Sequence, residues 1–140
     1  MNAAKVYSLL ESYYQAFNDQ DMIAFFDLID DDVIHDVNEG QREEGKVAFR
    51  FFMEKMNRNY QEKIDDLVIM TDPMGRRAAA EFTVTGTYLE KEFGLPEAKG
   101  QSYRLSSGAF FEFKNGLISR VTNYYNLANW IEQVEQKHSL

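Results

Sequence analysis

Apolar residues in this chain recur first at helical and then at strand spacing. From Ala3 to Phe17 they fall at Val6, Leu9, Leu10, Tyr13 and Phe17, the stripe of one helical face. Asn18-Asp19-Gln20-Asp21 interrupts that stripe with side chains suited to capping free helix N–H groups. A second helix is predicted over Met22 to Ile29, burying Met22, Phe25, Phe26 and Ile29. Asp30-Asp31-Asp32 should end it as a solvated turn, because like charges repel and sit badly at a helix C-terminus. The run lacks the ligand spacing of a metal site. Val33 to Gly40, VIHDVNEG, then alternates apolar and polar residues as a short strand. After a break at Gly45, a third helix is predicted from Val47 to about Tyr60, burying Phe49, Phe52, Met53, Met56 and Tyr60.

The period then changes to two. Lys63 to Met70 reads as a strand, and Asp72-Pro73-Met74-Gly75 as a β-turn with its proline at the second position. From Arg76 to Leu89, Ala78, Ala80, Phe82, Val84, Gly86 and Tyr88 share one face, and Arg77, Glu81, Thr83, Thr85 and Thr87 the other. Glu90 to Ser102 is polar, contains Gly and Pro, and is expected to be an exposed connection. Strands are predicted from Tyr103 to Phe113 and from Leu117 to about Asn126, joined by a tight turn at Lys114-Asn115-Gly116. Leu127, Trp130, Ile131 and Val134 suggest a closing helix. These elements imply an α+β domain: a curved antiparallel or mixed sheet packed against three N-terminal helices, enclosing a cone-shaped cavity.

Composition narrows the function. A chain of 140 residues is expected to be a single domain spanning 1–140, and 44% hydrophobic with 14% aromatic residues supports a packed core. A net charge of −8 argues against nucleic acid and anionic membrane as partners. With no cysteine, thiolate chemistry, disulfides and Cys-based zinc sites are excluded. The N-terminus is amphipathic rather than continuously apolar, so it reads as a domain helix and not a signal peptide; a cytoplasmic protein is expected. There is no Gly-rich phosphate loop and no nucleophile motif, and no cofactor or metal is implied. His35 and His138 are too few and too far apart to suggest a metal pair, and His138 lies in the tail.

The segment YYQAFNDQDMIAFFDLIDDDVIHDVNEG resembles the nuclear transport factor 2-like superfamily, a cystatin-like fold. More closely it is similar to the ketosteroid-isomerase-related and polyketide-cyclase-like (SnoaL-like) branch. The resemblance runs nearly end to end. It rests on an aromatic-x-x-x-Asn-x-x-Asp hinge after the first helix, Asp-Asp before the first strand, and Gly-Lys opening the third helix. The ending ISRVTNYYNLANWIEQ adds to it. Such folds host several activities, so the resemblance speaks to fold more than to reaction.

Ketosteroid isomerases use a helix-one tyrosine, a protonated aspartate and an aspartate base. Aligning on Asn18 places Tyr13 at the tyrosine position, where core packing is an equally good reading. The base falls near Val37, one residue from Asp36 and therefore on the opposite strand face, and the second aspartate near Ala109. A true steroid isomerase is not expected. If Val37 faces inward, so does His35, as a general base or acid or as a merely hydrogen-bonded histidine; Asp36 and Asn38 then face away. The resemblance places Val121, Asn123 and Tyr125 inward beside Ser107, Ala109 and Phe111. Asn126 stands where related sequences often carry aspartate, which weakens the cyclase parallel.

The candidate catalytic residues are thus Tyr13 and His35. The candidate ligand contacts are Val37, Phe52, Ser107, Phe111, Asn123 and Tyr125. Two functions remain open: an isomerase or cyclase moving protons on a hydrophobic, oxygen-bearing substrate, or a non-catalytic domain holding a small apolar ligand. The resemblance also implies a homodimer through the outer sheet face, where the threonine row lies.

Overall fold

The computed structural model describes residues 1–38 and 40–135. Helix α1 (Ala3–Asp19) begins at Asn2, whose side chain accepts from the Lys5 N–H at 2.9 Å, and ends at Gln20, which takes the left-handed conformation at φ 54°. Its buried face carries Val6, Leu10, Tyr13, Tyr14 and Ala16. Asp21 caps α2 (Met22–Asp27) by accepting from the Ala24 N–H at 3.1 Å. Strand β1 (Ile29–Asp36) follows, then β2 (Arg42–Glu44), α3 (Lys46–Asn59), β3 (Tyr60–Thr71), β4 (Arg77–Tyr88), β5 (Ser102–Lys114), β6 (Leu117–Tyr125) and α4 (Leu127–Glu135). Among the described residues no helix is long and apolar enough to cross a membrane.

The six strands form one curved, unclosed sheet in the order β2-β1-β6-β5-β4-β3. Among the described residues only β1 and β6 pair in parallel, so the sheet is mixed and the fold α+β. Alternation along β4 is complete: Ala78, Ala80, Phe82, Val84, Gly86 and Tyr88 are all buried, and the residues between them are half-buried or exposed. The helices lie against that apolar face. Gly86 is required there because the Tyr103 ring of β5 crosses directly over it; a Cβ would sit 2.4 Å from Tyr103 Cζ. The opposite face carries the threonine row and also an apolar group, Val68, Met70, Phe110 and Tyr124, each about half exposed or more, with Phe110 and Tyr124 edge to face at 5.9 Å.

Several boundaries differ from the sequence pattern. The acidic triplet is not a turn but part of β1, which starts at Ile29 rather than Val33. Fully buried Ile29 and Val33 anchor the strand, and a register shift against β6 between Ile29 and Ile34 lets Asp31 and Asp32 project into solvent. That strand stops at Asp36, short of Gly40, as the chain turns through a Gly40 N–H to Val37 carbonyl bond of 2.9 Å. Tyr60 opens β3 instead of closing α3. The expected exposed connection after β4 folds back: the Tyr88 hydroxyl donates to the Pro96 carbonyl at 2.7 Å and receives the Glu92 N–H at 3.1 Å.

Candidate functional site

Between the helices and the inner sheet face lies a cavity of about 200 Å³. Tyr13, His35, Val37, Phe52, Ser107, Asn123 and Tyr125 all line it. Phe111 does not. It is fully buried one layer below, with the Tyr13 ring edge-on above it at 5.6 Å. Tyr13 in turn stacks on Phe25 at 4.6 Å, and the β5 residues that reach the cavity are Leu105, Ser107 and Gly108. Tyr13 is therefore both packed and cavity-lining. Burial pushes its phenol pKa far up, so the hydroxyl stays protonated.

His35 is 1% exposed. Its ring stacks on Phe49 at 4.2 Å and 9°, and meets Phe52 edge-on at 4.6 Å. Nδ1 lies 3.2 Å from Oε1 of Glu43, its cross-strand partner on β2. Burial lowers the His35 pKa, while the hydrogen bond and charge of Glu43 and the charge of Asp36 oppose that. Burial outweighs them, leaving a neutral imidazole. A carboxylate only accepts, so Nδ1 carries the proton and Nε2 keeps its lone pair.

Asp36 points to the outer side of the sheet. Arg42 grips its carboxylate at 2.7 and 3.1 Å, and the Thr122 hydroxyl donates to it at 2.6 Å. These partners, the Arg42 hydrogen bond first, hold its pKa low. Asn38 was expected to face the same way but does not, because β1 has already ended and the turn swings it into the cavity wall. Its Oδ1 accepts from the Tyr125 N–H at 2.8 Å.

Three carboxylates escaped the sequence reading. Glu43 sits on a three-residue strand with no recognisable pattern. Glu62 lines the cavity from β3 and accepts from the Tyr103 hydroxyl across Gly86; burial raises its pKa against that hydrogen bond. Its signal was available: it alternates inward with Tyr60 and Ile64 once the strand starts at Tyr60. Glu92 accepts from the Tyr60 hydroxyl at 2.5 Å and from Lys55 at 3.0 Å, bringing the loop after β4 into the cavity wall with Leu95. Among the described residues no three His, Asp or Glu side chains converge as metal ligands, and His138 lies outside those residues.

Residues 10–121 match the SnoaL-like domain. A solved structure from Pseudomonas putida, named as a candidate polyketide cyclase, is 57% identical, covering 90% of this chain and 95% of that chain with a TM-score of 0.89. Another so named, from Xanthomonas campestris, is 44% identical, covering 96% and 100% with a TM-score of 0.93. At the level of fold alone, a nuclear transport factor 2-like protein of unknown function from Burkholderia pseudomallei superposes with a TM-score of 0.76 at 15% identity, covering 94% and 98%. No curated protein matches the chain. With four fifths of its length matched, the chain belongs to the SnoaL-like family, and its sheet and helices take the nuclear transport factor 2-like fold.

Proposed function

We propose that the protein is a cofactor-independent isomerase or cyclase that moves protons on a hydrophobic, oxygen-bearing small molecule. The observation that carries this reading is the His35–Glu43 pair, a neutral imidazole in the cavity wall with Nδ1 bound to a carboxylate. A histidine so oriented is a general base at neutral pH. Nε2 takes a proton from a carbon next to a substrate carbonyl, and the C–H electron pair moves to form an enolate. In this reading the Tyr13 hydroxyl, kept protonated by burial, hydrogen-bonds the enolate oxygen, with Asn123 as a further donor; both residues line the cavity. Returning the proton to another carbon isomerises the substrate; attack of the enolate carbon on a second carbonyl closes a ring. The neighbours named as candidate polyketide cyclases support the same class.

A second reading, ligand binding without turnover, is favoured by one observation. Asn123, an inward β6 residue of the cavity wall, is an amide that exchanges no proton in this role. Deuterium incorporation next to the carbonyl of 2-tetralone in D2O, followed by proton NMR, separates the two. His35→Ala would leave a hole between Phe49 and Phe52 costing about 2–5 kcal/mol, so His35→Gln is the better variant. Wild-type protein should exchange well above buffer, His35→Gln about 100-fold slower or more, and Glu43→Gln between the two. Exchange by the wild type no faster than buffer leaves binding without turnover.

A further inference from the structure

Among the described residues, two buried side-chain polar atoms have no hydrogen-bond partner: the Tyr14 hydroxyl and Asn38 Nδ2. Both residues line the cavity that holds His35. Leaving a buried polar atom unpaired is costly, so such atoms are rare and call for a specific cause. Tyr14 is only 5% exposed, and its phenol pKa is raised by burial and by neighbouring Tyr13, so the hydroxyl remains protonated and can donate. The Asn38 amide has no freedom to flip. Its oxygen must be the atom that accepts the Tyr125 N–H, which turns Nδ2 away from that bond and commits it to donating. Neither residue belongs to the proton-transfer set proposed above.

The rest of the lining limits what these donors meet. Glu62 and Glu92 are part of the wall, and among the described residues no Lys or Arg lines the cavity. A carboxylate or phosphate would enter next to two glutamates with no cation on the wall to receive it. The volume of about 200 Å³ exceeds the roughly 150 Å³ that accommodates benzene in an apolar protein cavity, which suits one or two fused rings.

We propose that Tyr14 and Asn38 are ligand-binding residues, and that they select an uncharged cyclic ligand bearing at least two separated oxygen acceptors. This rests on the small-molecule reading above and names its ligand class. The ligand supplies acceptors for the two donors that the protein's own side chains leave unpaired, and Phe17, Phe82 and Leu105 of the lining take its apolar edges.

The test uses 1,4-naphthoquinone, which has two carbonyl acceptors and no enolisable proton, so binding is read without turnover; the chain has no cysteine for the quinone to alkylate. Calorimetric titrations compare it with naphthalene and with 1-naphthoate. The quinone should bind wild-type protein at least tenfold more tightly than naphthalene, and 1-naphthoate more weakly than either. Tyr14→Phe, and Asn38→Asp, which keeps the acceptor for the Tyr125 N–H, should each weaken quinone binding about 3- to 10-fold. Tyr14→Phe should leave naphthalene binding unchanged. It should also hold or raise the Tm of the unliganded protein, since the hydroxyl it removes has no partner. Wild-type protein that binds the quinone selectively yet exchanges no 2-tetralone overturns only the proton-transfer reading, so the two claims fail separately. Equal binding of quinone and naphthalene, no quinone binding, or a lowered Tm in unliganded Tyr14→Phe overturns the proposal.

Discussion

Asn18 joins the end of α1 to the free edge of the sheet, and removing it should loosen that joint measurably. Its Nδ2 donates to the Ile64 carbonyl at 3.0 Å, and its Oδ1 accepts the Ile64 N–H at 2.8 Å. Among the described residues β3 is the last strand of the sheet, and no neighbouring strand supplies partners on that side. The amide thus acts as a one-residue strand, matching one donor and one acceptor at once. Both bonds are partly buried, so water replaces them incompletely. At a net 0.5–1.5 kcal/mol per hydrogen bond, Asn18→Ala should cost about 1–3 kcal/mol. For a chain of this size that is about 3–10 °C in Tm. Asn18→Asp should not restore stability, because its carboxylate can receive the N–H but faces the Ile64 carbonyl with no proton to donate. Urea and thermal unfolding followed by circular dichroism measure both variants. A loss below about 0.5 kcal/mol for Asn18→Ala, the range of an ordinary surface change, or wild-type stability in Asn18→Asp, would refute this account of the joint.

Stability should also depend on pH through two cavity-lining groups of opposite sign. His35 is held below its ordinary 6.5, so the unfolded chain takes up the proton first. Its contribution is complete above about pH 6.5 and declines as pH falls toward the folded-state pKa, and His35→Gln should flatten that limb. Glu62 is held above 4.5, so its contribution is complete below about pH 4.5 and is lost as pH rises through the folded-state value. Glu62→Gln should remove that loss in urea titrations from pH 4 to 8, and unchanged curves in both variants would contradict the assignments. We also expect a homodimer through the outer sheet face, where Val68, Met70, Phe110 and Tyr124 are exposed. Phe110→Lys should then sediment as a monomer with an unchanged circular dichroism spectrum, and a wild-type monomer at all concentrations would exclude this interface.

What the sequence by itself determined was local in origin. Alternation along β4 named its buried face residue by residue, and the same parity argument, run from Val37, turned His35 inward. Helix stripes and the Asn115-Gly116 turn follow from interactions within a few residues, so their spacing carries the information. The family hinge at Asn18 was visible too, but its partner Ile64 lies 46 residues away. Tertiary structure decided the rest. Glu43 reaches His35 only because β2, too short to show a period, pairs with β1. Phe111 has the right parity for a ligand contact, yet the Tyr13 and Tyr14 rings lie edge-on against it. Asn38 entered the wall because the strand stopped two residues before it, and Tyr14, on the same helical turn as Tyr13, kept a hydroxyl without a partner. Periodicity reports which face a residue takes. Whether that face meets another side chain, a carboxylate or an empty volume depends on residues distant in the chain, and only their packing together decides it.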